Sequence, residues 1–349
     1  MSPVKKAVIF IVSLLLLAAL AEGIILLQVR ISPVPLAAFL ACLSLVLGAF
    51  VAFTDSGFVR RLRAWALQSV WAALGMPLLL LVPYLVLAFG TGTFSARGLI
   101  KLAAYVMVPA ALLLPDRLRR ATRVGWRDFA AMLALAIPVP AHWLRGIWVW
   151  PEDLYFFQPL YSVCAGVYAF VVVRHLEGVG YRLRLRKGDL VDGLSNFVAF
   201  ALLGIPTGYG LHFIHFHTPL IAPWRFQFVG MREAAVLPGG LALAFQFLGT
   251  FVGIYITIAI PEELLFRGVL QNFLVKSIPL ERRGLWGLLV AATIFGLSHL
   301  HHPPVPNWRY AILATLAGVF YGNAYRTRQR LSASAFTHAL VDATWHFWF

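Results

Sequence analysis

The sequence predicts an all-α, polytopic transmembrane helical bundle of about eleven spans, on three observations. Hydrophobic residues make up 60% of the 349 and charged residues only 12%, whereas a soluble globule needs roughly a quarter of its residues charged. Apolar stretches of near-spanning length recur from one end of the chain to the other, each suited to a hydrocarbon core ~30 Å thick. These stretches are continuous rather than alternating every second residue, which disfavours a closed barrel. The mean hydropathy of +0.81 agrees.

In chain order the first stretch, 7–28, follows Lys5 and Lys6. That is the flank of a secretory signal, but the apolar part is too long and lacks a small-residue cleavage pattern, so it reads as a retained span. Stretches 33–53, 65–89, 99–115, 129–150 and 157–173 complete an N-terminal group of about six. The longest polar stretch, Arg174 through Asp192, separates them from 190–212, 236–260, 284–299, 309–325 and 331–349. The expected division is therefore an N-terminal transmembrane region, 1–189, with no assignable chemistry, and a C-terminal domain, 190–349, of about five spans. Cys42 and Cys164 lie far apart inside apolar runs, where each reads as a small core residue rather than part of a disulfide or thiolate framework.

The formal charge of +15 would point to nucleic acid in a soluble chain. Here it reads as a topology record, because with a cytoplasmic N-terminus and eleven crossings the outer loops hold only Arg30, Arg97, Lys101, Arg145, Arg225, Arg232 and Arg309. The other 22 of the 29 basic residues fall on the inner side, as the positive-inside rule requires. The expected partner of the basic loops is the lipid bilayer, not nucleic acid.

Charged groups at membrane depth are costly, so they tend to line a site. Three constellations in the C-terminal third stand out. Pro261-Glu262-Glu263 follows the apolar run ending at Ile260, and Pro261 suits the first position of a helical turn or a kink, the former setting both carboxylates at or near a helix N-terminus. Glu263 and Arg267 are spaced i, i+4 for an ion pair, leaving Glu262 as a desolvated carboxylate without a local cation, the preparation a general base needs. Phe295-Gly296-Leu297-Ser298-His299 closes another apolar stretch. His338 and Asp342 share one face of the last, where Asp342 would fix the tautomer of His338. Counted along helices from the basic loops, Glu262 and His299 reach ~21 and ~24 Å and His338 and Asp342 ~12 and ~18 Å, depths that let them meet.

Glu-Glu-x-x-x-Arg at 262–267, Phe-x-x-x-His at 295–299 and His-x-x-x-Asp at 338–342, in this order, resemble the CPBP family of intramembrane proteases, which includes the type II CAAX prenyl endopeptidases and proteins linked to bacteriocin self-immunity. The segment Ala317-Gly318-Val319-Phe320-Tyr321-Gly322 is similar to a further small-residue element of that family. The resemblance implies an intramembrane endopeptidase acting on a membrane-associated protein or peptide, in a bacterial inner membrane. It also implies that Glu262 and His299 activate water, that His338 and Asp342 bind the oxyanion or complete the site, and that Glu263 and Arg267 support it. The family often has Asn where this chain has Asp342, and an ionised carboxylate is a poor oxyanion donor.

Two mechanisms stay open. Either Glu262 acts as base on water held by His299, with no cofactor, or Glu262, His299 and His338 hold Zn²⁺ that acidifies the water. The chain lacks His-Glu-x-x-His, so the metal-free version is favoured. A second histidine group, His212, His215, His217, His301 and His302, reads as interfacial, with transition-metal binding as its alternative. The competing functional classes are a non-catalytic membrane immunity or assembly factor and a proton-coupled transporter, for which no inverted repeat is visible.

Overall fold

A computed structural model describes residues 32–119, 121, 124–220, 225–226, 235–236, 239–278 and 283–349. The first expected span, 7–28, and Lys5 and Lys6 lie outside the described residues. The chain divides into two compact units, Met1–Glu177 and Gly178–Phe349.

The first unit holds α1 (Pro33–Ala52), α2 (Ser56–Gln68), α3 (Val70–Leu78), α4 (Leu81–Thr91), α5 (Ala96–Leu113), α6 (Trp126–Ala136) and α7 (Phe157–Val167), the last continued by a wider-wound turn, Tyr168–Val173. Side-chain oxygens of Asp55, Ser69 and Ser95 accept amide hydrogen bonds at the starts of α2, α3 and α5, satisfying N–H groups that a helix start leaves free. Its core is aromatic, with Tyr84, Tyr105, Trp148, Phe157, Tyr161 and Phe170 buried, and a buried Arg174–Asp128 ion pair at 2.7 Å crosses it.

One expected span fails here. The stretch 129–150 folds as the eleven-residue α6 followed by turns, because Pro138 and Pro140 supply no amide donors and disfavour helical backbone at the residues before them. His142 and Gly146 then adopt left-handed backbone, at φ 51° and 75°. Apolar composition alone does not show this break.

The second unit holds α8 (Lys187–Gly210), a two-residue antiparallel pair β1 (Arg225–Phe226) and β2 (Ala235–Val236), the long run α9 (Gly239–Ser277), α10 (Arg283–Leu297) ending in a 3₁₀ turn at Ser298–His301, α11 (Trp308–Arg328) and α12 (Leu331–Trp348). Helix α12 packs against α8, α9 and α11, while α10 packs on α11. Small residues let α12 take this central place, with Ala333, Ala335, Ala339 and Ala343 fully buried. The polar residues of α12 find partners inside: Ser332 donates to Asp189, and Thr337 to the carbonyls of Gly193 and Ala333. Its start is held where Arg330 meets Asp189 at 3.0 Å and Leu331 donates its amide to the Gly180 carbonyl. Gly180 has φ 70°, and a Cβ there would lie 2.2 Å from the Gln329 carbonyl oxygen, so only glycine fits the approach.

Among the described residues six helices are long and apolar enough to cross a membrane: Pro33–Ala52, Val70–Thr91, Ala96–Asp116, Lys187–Gly210, Gly239–Ser277 and Gly284–His301. Their outward faces are apolar. Leu241, Phe245, Leu248 and Val252 form one exposed stripe on α9, and Trp286, Val290, Ile294 and Leu297 form another on α10. A stripe of that size facing outward suits lipid. Helices α11 and α12 have spanning length but carry more polar residues, of which Ser332, Ser334, Thr337 and His338 of α12 are buried.

Helices α10 and α11 approach closely at Gly296 on α10, where an added Cβ would sit 1.8 Å from Thr315 Oγ1 and 2.5 Å from the Ala311 carbonyl oxygen of α11. Gly296→Ala is expected to force these helices apart and destabilise the protein by about 1–3 kcal/mol, read as a lower thermal unfolding midpoint in detergent. An unchanged midpoint would show that the two helices do not pack this closely.

Candidate active site

The expected helix start at Pro261 does not occur. Pro261, Glu262 and Glu263 lie in the middle of α9, flanked by wider, π-wound turns at Tyr255–Ala259 and Leu264–Gln271. A proline inside a helix removes one amide donor, and local π winding lets the helix pass it unbroken. The two carboxylates therefore lack the field of a helix N-terminus and depend on side-chain partners.

Those partners differ sharply between the neighbours. Glu263 is fully buried, pairs with Arg267 at 3.2 Å, accepts from His338 Nδ1 at 2.8 Å and accepts the hydroxyl hydrogen bond of Ser334. Ser334 also reaches the Tyr321 carbonyl. Arg267, likewise fully buried, donates from Nη2 to the Gly318 carbonyl and sets its guanidinium 4.4 Å from the centre of the Phe295 ring, a contact favourable for a desolvated cation. The small-residue segment of α11 thus has a physical role. A Cβ at Gly318 would press on Ala292 and one at Gly322 on Gln271, and the carbonyls of these glycines accept from Arg267 and Gln271.

Glu262 faces the other way. Its side chain is 35% exposed, and its Oε2 atom is buried without a hydrogen-bond partner among the described residues, 3.9 Å from His338 Nε2. Asp342 Oδ2 stands 3.3 Å from the same nitrogen. His338 is consequently engaged on both sides, by Glu263 at Nδ1 and by Asp342 at Nε2, and only a ring protonated at both nitrogens can donate to both. Tyr321 stacks on it at 4.5 Å and Phe295 meets it edge-on.

His299 stands in the 3₁₀ turn after α10. Its Nδ1 lies 2.8 Å from the Phe295 carbonyl, an acceptor only, so Nδ1 carries the hydrogen and Nε2 is left as an acceptor in the neutral ring. The ring meets Phe295 and Tyr310 edge-on, each at 4.7 Å. Phe295 therefore does three things: it supports Arg267, flanks His338 and fixes the tautomer of His299.

Glu262, His299, His338 and Asp342 all border one cavity of about 350 Å³, walled by Phe197, Phe200 and Ile205 of α8, Leu313 of α11, and Val341 and Trp345 of α12. Glu263 and Arg267 lie behind this wall. Tyr310, Tyr321 and Ser334 also belong to the site and were not singled out from the sequence. Ser334 lies one turn before His338 on the same face, and Tyr321 lies inside the glycine-rich segment, the two signals that point to them.

Among the described residues no group of three or more His, Cys, Asp or Glu side chains stands as a metal ion requires, and the two ring nitrogens of His338 face Glu263 and Asp342. The second histidine group does not assemble as a metal site either. The His301 and His302 rings meet at 4.2 Å, tilted by 40°, the His212 carbonyl accepts from Arg309, and His217 lines a different cavity with His346. Burial, and then the neighbouring His301, hold His302 below the usual histidine range.

Residues 244–344 match a protein-family model described as Type II CAAX prenyl endopeptidase Rce1-like. The match covers less than a third of the chain, includes all three motifs, and supports the CPBP/CAAX protease reading of that segment. No curated protein and no solved structure matches the chain.

Removing one member of a buried ion pair leaves an uncompensated charge, at a cost of about 3–5 kcal/mol. Arg267→Met is expected to destabilise the protein by that order, and Glu263→Gln with Arg267→Met to recover much of the loss. Thermal unfolding of the single and double variants checks this, and strictly additive losses would count against direct coupling of the two side chains.

Proposed function

We propose that the C-terminal unit is an intramembrane endopeptidase that hydrolyses a peptide bond of a membrane-associated protein or peptide without a metal ion, with Glu262 as general base. The observation that carries this reading is the contrast between the two adjacent glutamates. Glu263 is saturated by Arg267, Ser334 and His338, whereas Glu262 borders the cavity with an oxygen that accepts no hydrogen bond among the described residues and has His338 only at 3.9 Å. A base must be free to take a proton, and Glu262 alone of the pair is free.

In the proposed reaction the acceptor nitrogen of His299 and the Glu262 carboxylate orient one water. As its oxygen attacks the substrate carbonyl carbon, the proton passes to Glu262, and on collapse of the tetrahedral intermediate that proton goes to the departing amine nitrogen. His338, held between Glu263 and Asp342, supplies fixed positive charge at the cavity wall. The apolar walls accept an extended apolar segment and exclude bulk water, which strengthens these interactions. Support for a metal-free reaction comes from the donor set, since His338 has no nitrogen left for a ligand bond.

The test is cleavage of a peptide library by the detergent-purified chain and by Glu262→Gln, with metal content measured on the same samples. Wild type is expected to cleave, insensitive to chelators, and Glu262→Gln to lose about a hundredfold or more in kcat while unfolding at the wild-type temperature. Activity surviving Glu262→Gln would remove the base assignment. Stoichiometric zinc whose removal abolishes cleavage would replace this mechanism with the metal one, and absence of cleavage by wild type would favour a non-catalytic membrane factor.

A further inference from the structure

Water attack on an amide leaves negative charge on the former carbonyl oxygen, and one positioned donor to it contributes about 10²–10³ in kcat. The four residues Glu262, Asp342, His299 and His338 supply no free donor. Glu262 and Asp342 are acceptors when ionised, His299 donates through Nδ1 to the Phe295 carbonyl, and His338 is engaged by Glu263 and Asp342. Backbone amides do not fill the role either, because Glu262, His338 and Asp342 lie inside helices rather than at helix N-termini, where amides are committed to the helix ladder.

Tyr310 has the missing property. It stands in the first turn of α11, fixed by the cap in which its amide donates to Asn307 Oδ1 at 3.0 Å, while Asn307 Nδ2 donates to the Pro303 carbonyl. Its ring is held by four others: His299 at 4.7 Å, His302 at 5.1 Å, Trp345 at 5.2 Å and Phe213 at 5.4 Å. It borders the same cavity as Glu262, His299, His338 and Asp342. Among the described residues its hydroxyl makes no hydrogen bond. A ring clamped by aromatic neighbours and by the helix cap, with an unengaged hydroxyl at the cavity, is a preorganised donor.

We infer that Tyr310 is a catalytic residue that donates its phenolic hydrogen bond to the oxyanion of the tetrahedral intermediate, in the place where the carboxylate of Asp342 has no hydrogen to give. The inference rests on the endopeptidase reading and deepens it. No proton is transferred in this step: the phenol keeps its O–H bond, and the water's proton follows the route through Glu262.

The test uses the full chain in detergent with a peptide that wild type cleaves and a phosphinic analogue of that peptide, a stable tetrahedral mimic. Tyr310→Phe keeps the ring and removes only the donor. It is expected to lower kcat about a hundredfold with KM little changed, and to weaken the phosphinic analogue by the same factor while the unfolding temperature stays at the wild-type value. Tyr209→Phe, which alters an exposed phenol on α8 outside the cavity lining, is the comparison and is expected to spare kcat. If Tyr310→Phe fails to fold, 3-fluorotyrosine at position 310, a stronger donor, is expected to alter kcat and analogue affinity in parallel, and no change in either would overturn the inference. A Tyr310→Phe enzyme within about threefold of wild type, or one that loses substrate and analogue binding equally, would also overturn it while leaving the endopeptidase reading intact. Wild type cleaving no peptide at all overturns that reading and this inference together.

Discussion

The second unit depends on one buried anion. Glu263 has no exposure to solvent, and it joins α9 to α12 through His338 and Ser334 while pairing with Arg267 one turn along its own helix. A carboxylate in that position is tolerable only when its lone pairs are taken by donors and its charge is met. Each partner is in turn held: Arg267 by the Gly318 carbonyl and the Phe295 ring, Ser334 by the Tyr321 carbonyl, and His338 by Tyr321 and Asp342. The network fixes the mutual placement of α9, α10, α11 and α12, and so the positions of the groups bordering the cavity.

This arrangement separates two tasks that adjacent identical residues would otherwise share. Glu263 is enclosed by its partners and Glu262 borders the cavity, because successive residues on a helix point to different sides. The same logic operates on α12, where small residues allow close packing and the polar groups at 332, 334, 337 and 338 meet partners inside the unit. The outward faces of α8, α9 and α10 remain apolar. The polar interior and apolar exterior are both consequences of a solvent that offers no hydrogen bonds to side chains facing it.

Much of the site was legible before any coordinates. Glu262, His299, His338 and Asp342 are conspicuous because they interrupt apolar sequence, and helical rise from the basic loops puts them at compatible depths. The i, i+4 spacing of Glu263 and Arg267 corresponds to their 3.2 Å contact. Less legible was the role of Pro261. A proline before two glutamates reads as a helix start, yet π winding carries α9 through it. The stretch 129–150 misleads for the opposite reason, since its apolar composition hides two prolines that end α6. Tyr310 carries no signal of its own, as an aromatic residue in an apolar helix is most often packing, and Ser334 is marked only by its place one turn before His338.

By itself the sequence determined the fold class, the concentration of embedded polar groups in the last third and the helical faces those groups share, because composition and period are local properties of the chain. Which glutamate is neutralised and which stays free, which nitrogen of each histidine is engaged, and which phenol stands beside His299 were decided only by the tertiary structure. Those outcomes depend on residues brought together from separate helices, and a helical period specifies the face of one helix without specifying what another sets against it.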